Sequence, residues 1–125
     1  MTRILLDTHV FLWWRANDPS LSAAARAAIA HADVVYVSMA SAWEVAIKVG
    51  LGRLHLPGSF ADGVGESQFE PLAIGFAHTD EVTRLPPLHR DPFDRMLVAQ
   101  ARVEQLALAT RDPLILAYKV ATILA

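Results

Sequence analysis

Cysteine is missing from the 125-residue sequence, which excludes disulfides and thiolate metal sites and leaves oxygen and nitrogen donors for any metal. That absence agrees with a cytoplasmic setting. Long apolar runs are missing too: Asp7, Arg15, Glu44, Lys48 and Arg111 interrupt the candidates before the roughly 18 residues that a membrane span requires. A soluble chain is expected, with no membrane partner. The N-terminal stretch after Arg3 contains Asp7 and His9 and no small-residue cleavage site, so no signal peptide is expected. Charge of one sign is not in excess either; a net charge of −2 gives no general attraction to nucleic acid, so any such binding would use a local basic patch. No repeat, low-complexity tract or linker divides the chain, and its length suits one domain over residues 1–125. What is abundant is apolar. Hydrophobic residues make up 54% and charged residues 19%, which excludes a disordered polyelectrolyte and suggests that some apolar surface faces a partner.

The order of elements is repeatedly strand, then helix. Arg3 to Leu6 is a short apolar run closed by Asp7-Thr8, as expected of a buried parallel strand entering a helix that continues to Arg15. Asn17 to Ser20 breaks that helix, and Ser22 caps an alanine-rich one running to about Ala32. Val34 to Val37 is a second buried strand, and Ser38 or Ser41 starts a helix over Ala40 to Gly50. A weaker helix is expected over Phe60 to Gln68, a third strand over Phe69 to Ile74 and a short helix over Phe76 to Val82. The rigid Leu85-Pro86-Pro87-Leu88 follows. After the helix beginning at Asp91 come a fourth strand over Leu106 to Ala109, a helix over Pro113 to Tyr118 and a last, edge strand over Val120 to Leu124. This alternation predicts an α/β fold with a parallel sheet covered on both faces and right-handed crossovers.

The stretch His89 to Ala101, HRDPFDRMLVAQA, places two carboxylates at a helix start: Asp91 as N-cap, Pro92 at the first helical position and Asp94 in the first turn. Three more acids sit at comparable junctions. Asp7 and Asp112 each follow an expected strand, at the edge where open α/β sheets bind ligands, and Glu44 lies one turn into the helix leaving the second strand. Each has a structural explanation as well. Asp7, Asp94 and Asp112 suit helix starts, while Glu44 has Lys48 four residues on, in the favourable orientation for a helical ion pair. Yet four carboxylates meeting in one crevice would repel one another unless a cation neutralised them. Oxygen donors alone favour Mg²⁺ or Mn²⁺ over zinc, and phosphodiester chemistry follows. His9, His55 and His78 lack ligand spacing, and Trp13, Trp14 and Trp43 read as core or interface packing.

LLDTHVFLWW, SAWEVAIKVGLGRL, LPPLHRDPFDRMLVAQA and LATRDPLILAY, in that order, resemble the PIN-domain ribonucleases and, within them, the VapC-like toxins of bacterial type II toxin–antitoxin systems. The resemblance covers nearly the whole chain. It implies a three-layer α/β/α fold with a central, mostly parallel sheet of four or five strands. It also implies a catalytic set of Asp7, Glu44, Asp94 and Asp112, with Asp7, Asp94 and Asp112 as metal ligands and Glu44 acting directly or through water. Asp91 matches as the helix cap and is also a candidate to support the metal-binding acids by hydrogen bonding. Ser38 and Thr110, beside strand ends, are candidates for hydrogen bonds to an acid or a metal-bound water, with turn capping as the other explanation. Lys48, Arg90, Arg95 and Arg111 are candidates for the RNA backbone, with solvated surface charge the alternative for each. The implied partners are an RNA substrate, a cognate antitoxin and a second copy of the chain. One departure is the C-terminal ILAYKVATILA, which lacks the aromatic residue often found after the family's last strand. Two other readings fit some of the same residues. A Rossmann-like phosphatase or phosphotransfer domain would also put Asp7 after its first strand, although position 9 is His where the phosphatase motif needs Asp. A non-catalytic interaction domain could retain the fold.

Overall fold

Alternation along Ile4-Leu5-Leu6 sends Ile4 and Leu6 to one side of a sheet and Leu5 to the other, and this division extends through the molecule. The computed structural model describes residues 1–125. Its elements are β1 (Arg3–Leu6), α1 (Thr8–Ala16), α2 (Ala23–His31), β2 (Val34–Ser38), α3 (Met39–Gly50), α4 (Phe60–Glu66), β3 (Glu70–Leu72), α5 (Phe76–Arg84), α6 (Pro92–Glu104), β4 (Ala107–Thr110), α7 (Pro113–Leu116) and β5 (Thr122–Leu124). The five strands run in the order β3-β2-β1-β4-β5, and every pairing is parallel. The sheet is thus at the upper end of the expected four or five strands and wholly parallel.

One face carries Ile4, Leu6, Val35, Val37 and Ala109 against Val10 and Phe11 of α1, Ala25 and Ile29 of α2 and Val64 of α4. Leu5 and Leu108 on the opposite face meet Leu97, Val98 and Ala101 of α6 and Ile115 of α7. Two apolar layers therefore sandwich the sheet. Each fully buried aliphatic side chain contributes about 1.5–3 kcal/mol relative to exposure.

The differences from expectation lie at the edges. The expected strand over Phe69 to Ile74 contracts to Glu70–Leu72. Phe69 turns into the core, and the Ala73 carbonyl accepts from Gln100 Nε2 at 3.3 Å instead of entering a ladder. Pro71, opposite Val37, lacks an N–H but lies on an edge strand, where one ladder side is free. β5 forms without the aromatic residue: it pairs with β4, and the terminal Ala125 is buried. Of the tryptophans, Trp13 and Trp14 are both half-buried while Trp43 is 62% exposed.

Because β2 and β4 flank β1 on opposite sides, the chain reverses its direction of sheet growth at β1. A crevice opens at such a reversal, beyond the strands' carboxyl ends.

Candidate metal centre

Asp7 follows β1 directly and caps α1, with Oδ1 accepting from His9 N at 3.1 Å. Its Oδ2 accepts from Thr110 Oγ1 at 2.6 Å, so the end of β4 grips the acid at the end of β1. Thr110 Oγ1 also accepts from Asp112 N at 3.1 Å, so one hydroxyl sets the spacing of two acids. Asp112 caps α7 through Oδ1, which accepts from Leu114 N at 2.9 Å, leaving Oδ2 turned towards the crevice. Glu44 enters from α3. Its Oε1 accepts from Thr8 Oγ1 at 2.9 Å and its Oε2 from Lys48 Nζ at 2.9 Å, so the helical ion pair exists but its acid is buried.

At the start of α6, Asp91 Oδ1 accepts from Phe93 N at 2.8 Å and Asp94 N at 3.1 Å. Asp91 is therefore the cap, and Asp94 is free to turn inward. Asp7, Glu44, Asp94 and Asp112 line one pocket of about 350 Å³, together with Asp91, Lys48 and Arg111. Burial raises the Asp94 carboxyl from its ordinary 3.8 to about 7; the charges of Asp91, Asp7 and Glu44 push the same way, and His89 opposes them. Asp7 is also raised, mainly by burial, against the hydrogen bonds from Thr110 and His9. The centre is thus a crowded, partly desolvated set of oxygen donors, which fits a hard divalent cation.

Not every candidate is brought here. Ser38 caps α3, accepting from Ala40 N at 2.9 Å, and donates to Gln100 Oε1 at 2.5 Å; it reaches none of the acids. Gln100 is fully buried and belongs to a polar chain that continues through His78, whose Nε2 lies 2.8 Å from Glu104 Oε2. His78, unremarkable in sequence, is therefore a buried structural group. Arg95 donates to the Pro86 and Val82 carbonyls and to Tyr118 Oη, each at 3.1 Å, so its guanidinium holds the proline connector and is not presented to a substrate. Arg111 lies over the Trp13 ring at 4.4 Å, donates from Nε to the Ala125 carbonyl at 3.2 Å and also reaches the Ser20 carbonyl, yet still lines the pocket. Arg90 is exposed beside a separate apolar pocket with Trp43, Pro92 and Phe93.

Sequence reasoning passed over His89. Its Nε2 lies 3.0 Å from both Asp94 Oδ2 and Asp112 Oδ2, so the three residues bring metal-ligating atoms within 4.8 Å of one another. The only signal was its place two residues before the capping Asp91.

Comparison with known proteins bears on the family and the fold. The family model of the PIN domain matches residues 4–120. The chain is 33% identical over 115 residues to Ribonuclease VapC22 of Mycobacterium tuberculosis, covering 90% of this chain and 88% of that relative. Among solved structures, it resembles VapBC2 from Rickettsia felis bound to a DNA fragment from their promoter, with TM-score 0.67, 11% identity and 98% of each chain covered. A toxin–antitoxin complex from Klebsiella pneumoniae gives TM-score 0.66 and 18% identity over 97% of this chain and 96% of that one. FitAcB from Neisseria gonorrhoeae gives 0.65 and 21% over the same shares, 97% and 96%. At these identities the structural likenesses concern the fold.

Proposed function

The chain belongs to the PIN domain family, and from that premise we propose that it is a Mg²⁺- or Mn²⁺-dependent endoribonuclease serving as the toxin of a bacterial toxin–antitoxin pair. One observation carries the reading: four carboxylates from the ends of β1 and β4 and the starts of α3 and α6 line a single pocket at the sheet's point of reversal. Asp7, Asp94 and Asp112 would hold one or two cations, with Glu44 contributing directly or through water. When bound, such a cation lowers the pKa of a coordinated water and offsets charge developing on a phosphodiester.

The chain's own residues account for the rest. Thr110 fixes the Asp7 carboxylate through Oδ2, and Lys48 offsets part of the Glu44 charge. Lys48 and Arg111, which line the pocket, are the basic groups placed to meet a phosphate entering it, and Arg90 is free to meet the strand further out. Thr8 holds Glu44 from the first turn of α1 and so couples α1 to α3.

Partners follow from neighbouring surfaces. A groove of about 380 Å³ beside the acids shares His9 and Trp13 with the metal pocket and adds Phe11, Leu12, Leu56 and Phe60. A cognate antitoxin helix laid there could place a basic side chain among the acids. Trp43 and Ile47 on α3 and Leu51 at its C-cap recur at helical spacing and are 62%, 40% and 61% exposed, a face suited to a second copy of the chain. No helix is long and apolar enough to cross a membrane.

The test is cleavage of single-stranded or looped RNA by the purified protein with Mg²⁺ or Mn²⁺, beside a phosphomonoester substrate. Cation-dependent RNA cleavage without phosphatase activity is expected. Full RNA cleavage in excess EDTA would overturn the metal mechanism, and phosphatase activity alone would favour a phosphotransfer enzyme.

A further inference from the structure

His89 ends the rigid connector Leu85 to Leu88 and precedes α6 by three residues. Its backbone is fixed, with its N–H donating to Tyr118 Oη at 2.9 Å while Arg95 holds the same Tyr118 oxygen and the Pro86 carbonyl. Its side chain is only 11% exposed. The ring is oriented by a third contact. Asp91 N lies 3.2 Å from Nδ1, and a backbone amide can only donate, so Nδ1 must present its lone pair. In the neutral imidazole the proton is then on Nε2, the atom 3.0 Å from both Asp94 Oδ2 and Asp112 Oδ2.

Nothing else in the molecule ties these two acids together. Asp94 belongs to the start of α6 and Asp112 to the start of α7, and neither carboxylate accepts from the other's helix. Two carboxylate oxygens meeting at one nitrogen repel each other unless a hydrogen lies between them. The Nε2–H supplies that hydrogen, in a hydrogen bond to Asp112 Oδ2 with Asp94 Oδ2 at the same distance from the nitrogen. With its Nε2 lone pair occupied by the proton, the ring has none left for a cation, although residue type alone would group it with the ligands.

We propose that His89 is a positioning residue that directs its Nε2–H to Asp112 Oδ2 while Asp94 Oδ2 sits 3.0 Å from the same nitrogen, holding the two acids as one cation-binding pair, and that it does not itself ligate the cation. The proposal rests on the nuclease reading, because it concerns the acids assigned there. Carboxylates that bind metals are themselves oriented by hydrogen-bond donors, and removing such a donor costs about 10–100-fold in metal affinity.

Two amide variants separate the functions of the ring's two nitrogens. His89→Gln keeps an N–H donor at the reach of Nε2 and loses the acceptor near the backbone. His89→Asn keeps an acceptor at the position of Nδ1 and loses the donor to the acids. Mn²⁺ binding to the full chain, measured by calorimetry, should weaken about 10–100-fold in His89→Ala and in His89→Asn and stay within a few-fold of wild type in His89→Gln. If Gln binds no better than Ala, or if Asn restores binding and Gln does not, His89 serves only the start of α6 and the inference is overturned. Wild-type protein that binds no Mn²⁺ overturns the nuclease reading and this inference with it; binding by wild type but not by the Gln variant overturns this inference alone. Long-range ¹H–¹⁵N spectra of the metal-free wild-type protein give an answer even where a variant does not fold. The Nε2–H tautomer of His89 is expected, and the Nδ1–H tautomer would refute the assignment.

Discussion

Asp94 shows how one residue can be costly for folding and valuable for function. Its pKa in the folded chain, about 7, lies above the ordinary 3.8, so between those values the folded state binds more protons than the unfolded one, and stability falls as pH rises across that interval. Above about pH 7 the full penalty is present, on the order of 4 kcal/mol at most. Asp7 acts in the same direction. Asp94→Asn should therefore abolish cleavage while raising the melting temperature of the metal-free protein at pH 7.5, with the gain shrinking towards pH 4. Melting curves at the two pH values check this, and an Asn variant less stable than wild type at pH 7.5 would contradict the sign. Asp91 provides the contrast. Asn caps a helix as well as Asp, so Asp91→Asn should retain most activity, whereas Asp91→Ala should cost about 1 kcal/mol of stability. Cleavage assays on both substitutions beside Asp94→Asn test the division of labour within DPFD.

Among the elements, α6 is the one on which fold and site meet. Its buried face packs Leu97, Val98 and Ala101 on the sheet, its first turn delivers Asp94, and Arg95 and Gln100 anchor it to its neighbours. Gln100 accepts from Ser38 and donates to the Ala73 carbonyl, linking α6 to the end of β2 and to the segment after β3. Gln100→Leu should lower stability by roughly 1–3 kcal/mol, because it leaves the buried Ser38 hydroxyl without its acceptor. Denaturant unfolding measures the loss. Arg95 is a bond within the fold, so Arg95→Gln should destabilise the chain and leave the salt dependence of RNA binding unchanged. Lys48→Gln should flatten that dependence. Binding measured at several salt concentrations distinguishes the two, and an altered slope for Arg95→Gln would return that residue to the RNA-facing set.

For the whole molecule, the expectations concern partners. Expressing the wild-type chain alone should arrest growth, co-expressing the neighbouring gene should restore it, and Asp94→Asn should remove the need for rescue. A wild-type chain that is harmless at high expression would end the toxin reading. The exposed α3 face predicts a dimer in sedimentation that Trp43→Glu or Ile47→Glu converts to monomer, since a buried, unpaired carboxylate opposes an apolar interface. Sedimentation of the wild type as a monomer would exclude that face as the contact.

The sequence by itself determined the alternation of strand and helix, the caps at Asp91 and Asp112, the three aspartates at element ends and Glu44 one turn into its helix, because these depend on periodicity and on groups a few residues apart. Edge strands were less legible, since Glu70–Leu72 and Thr122–Leu124 are short and carry Pro71 or little buried surface. Only the tertiary structure decided which polar groups meet. Thr110 reaches Asp7 across a separation of 103 residues, His89 reaches Asp112 across 23, and Ser38 turns away from the acids to Gln100 across 62. Such pairings are set by the order β3-β2-β1-β4-β5 and by the packing of α6 on the sheet, and no local spacing encodes them.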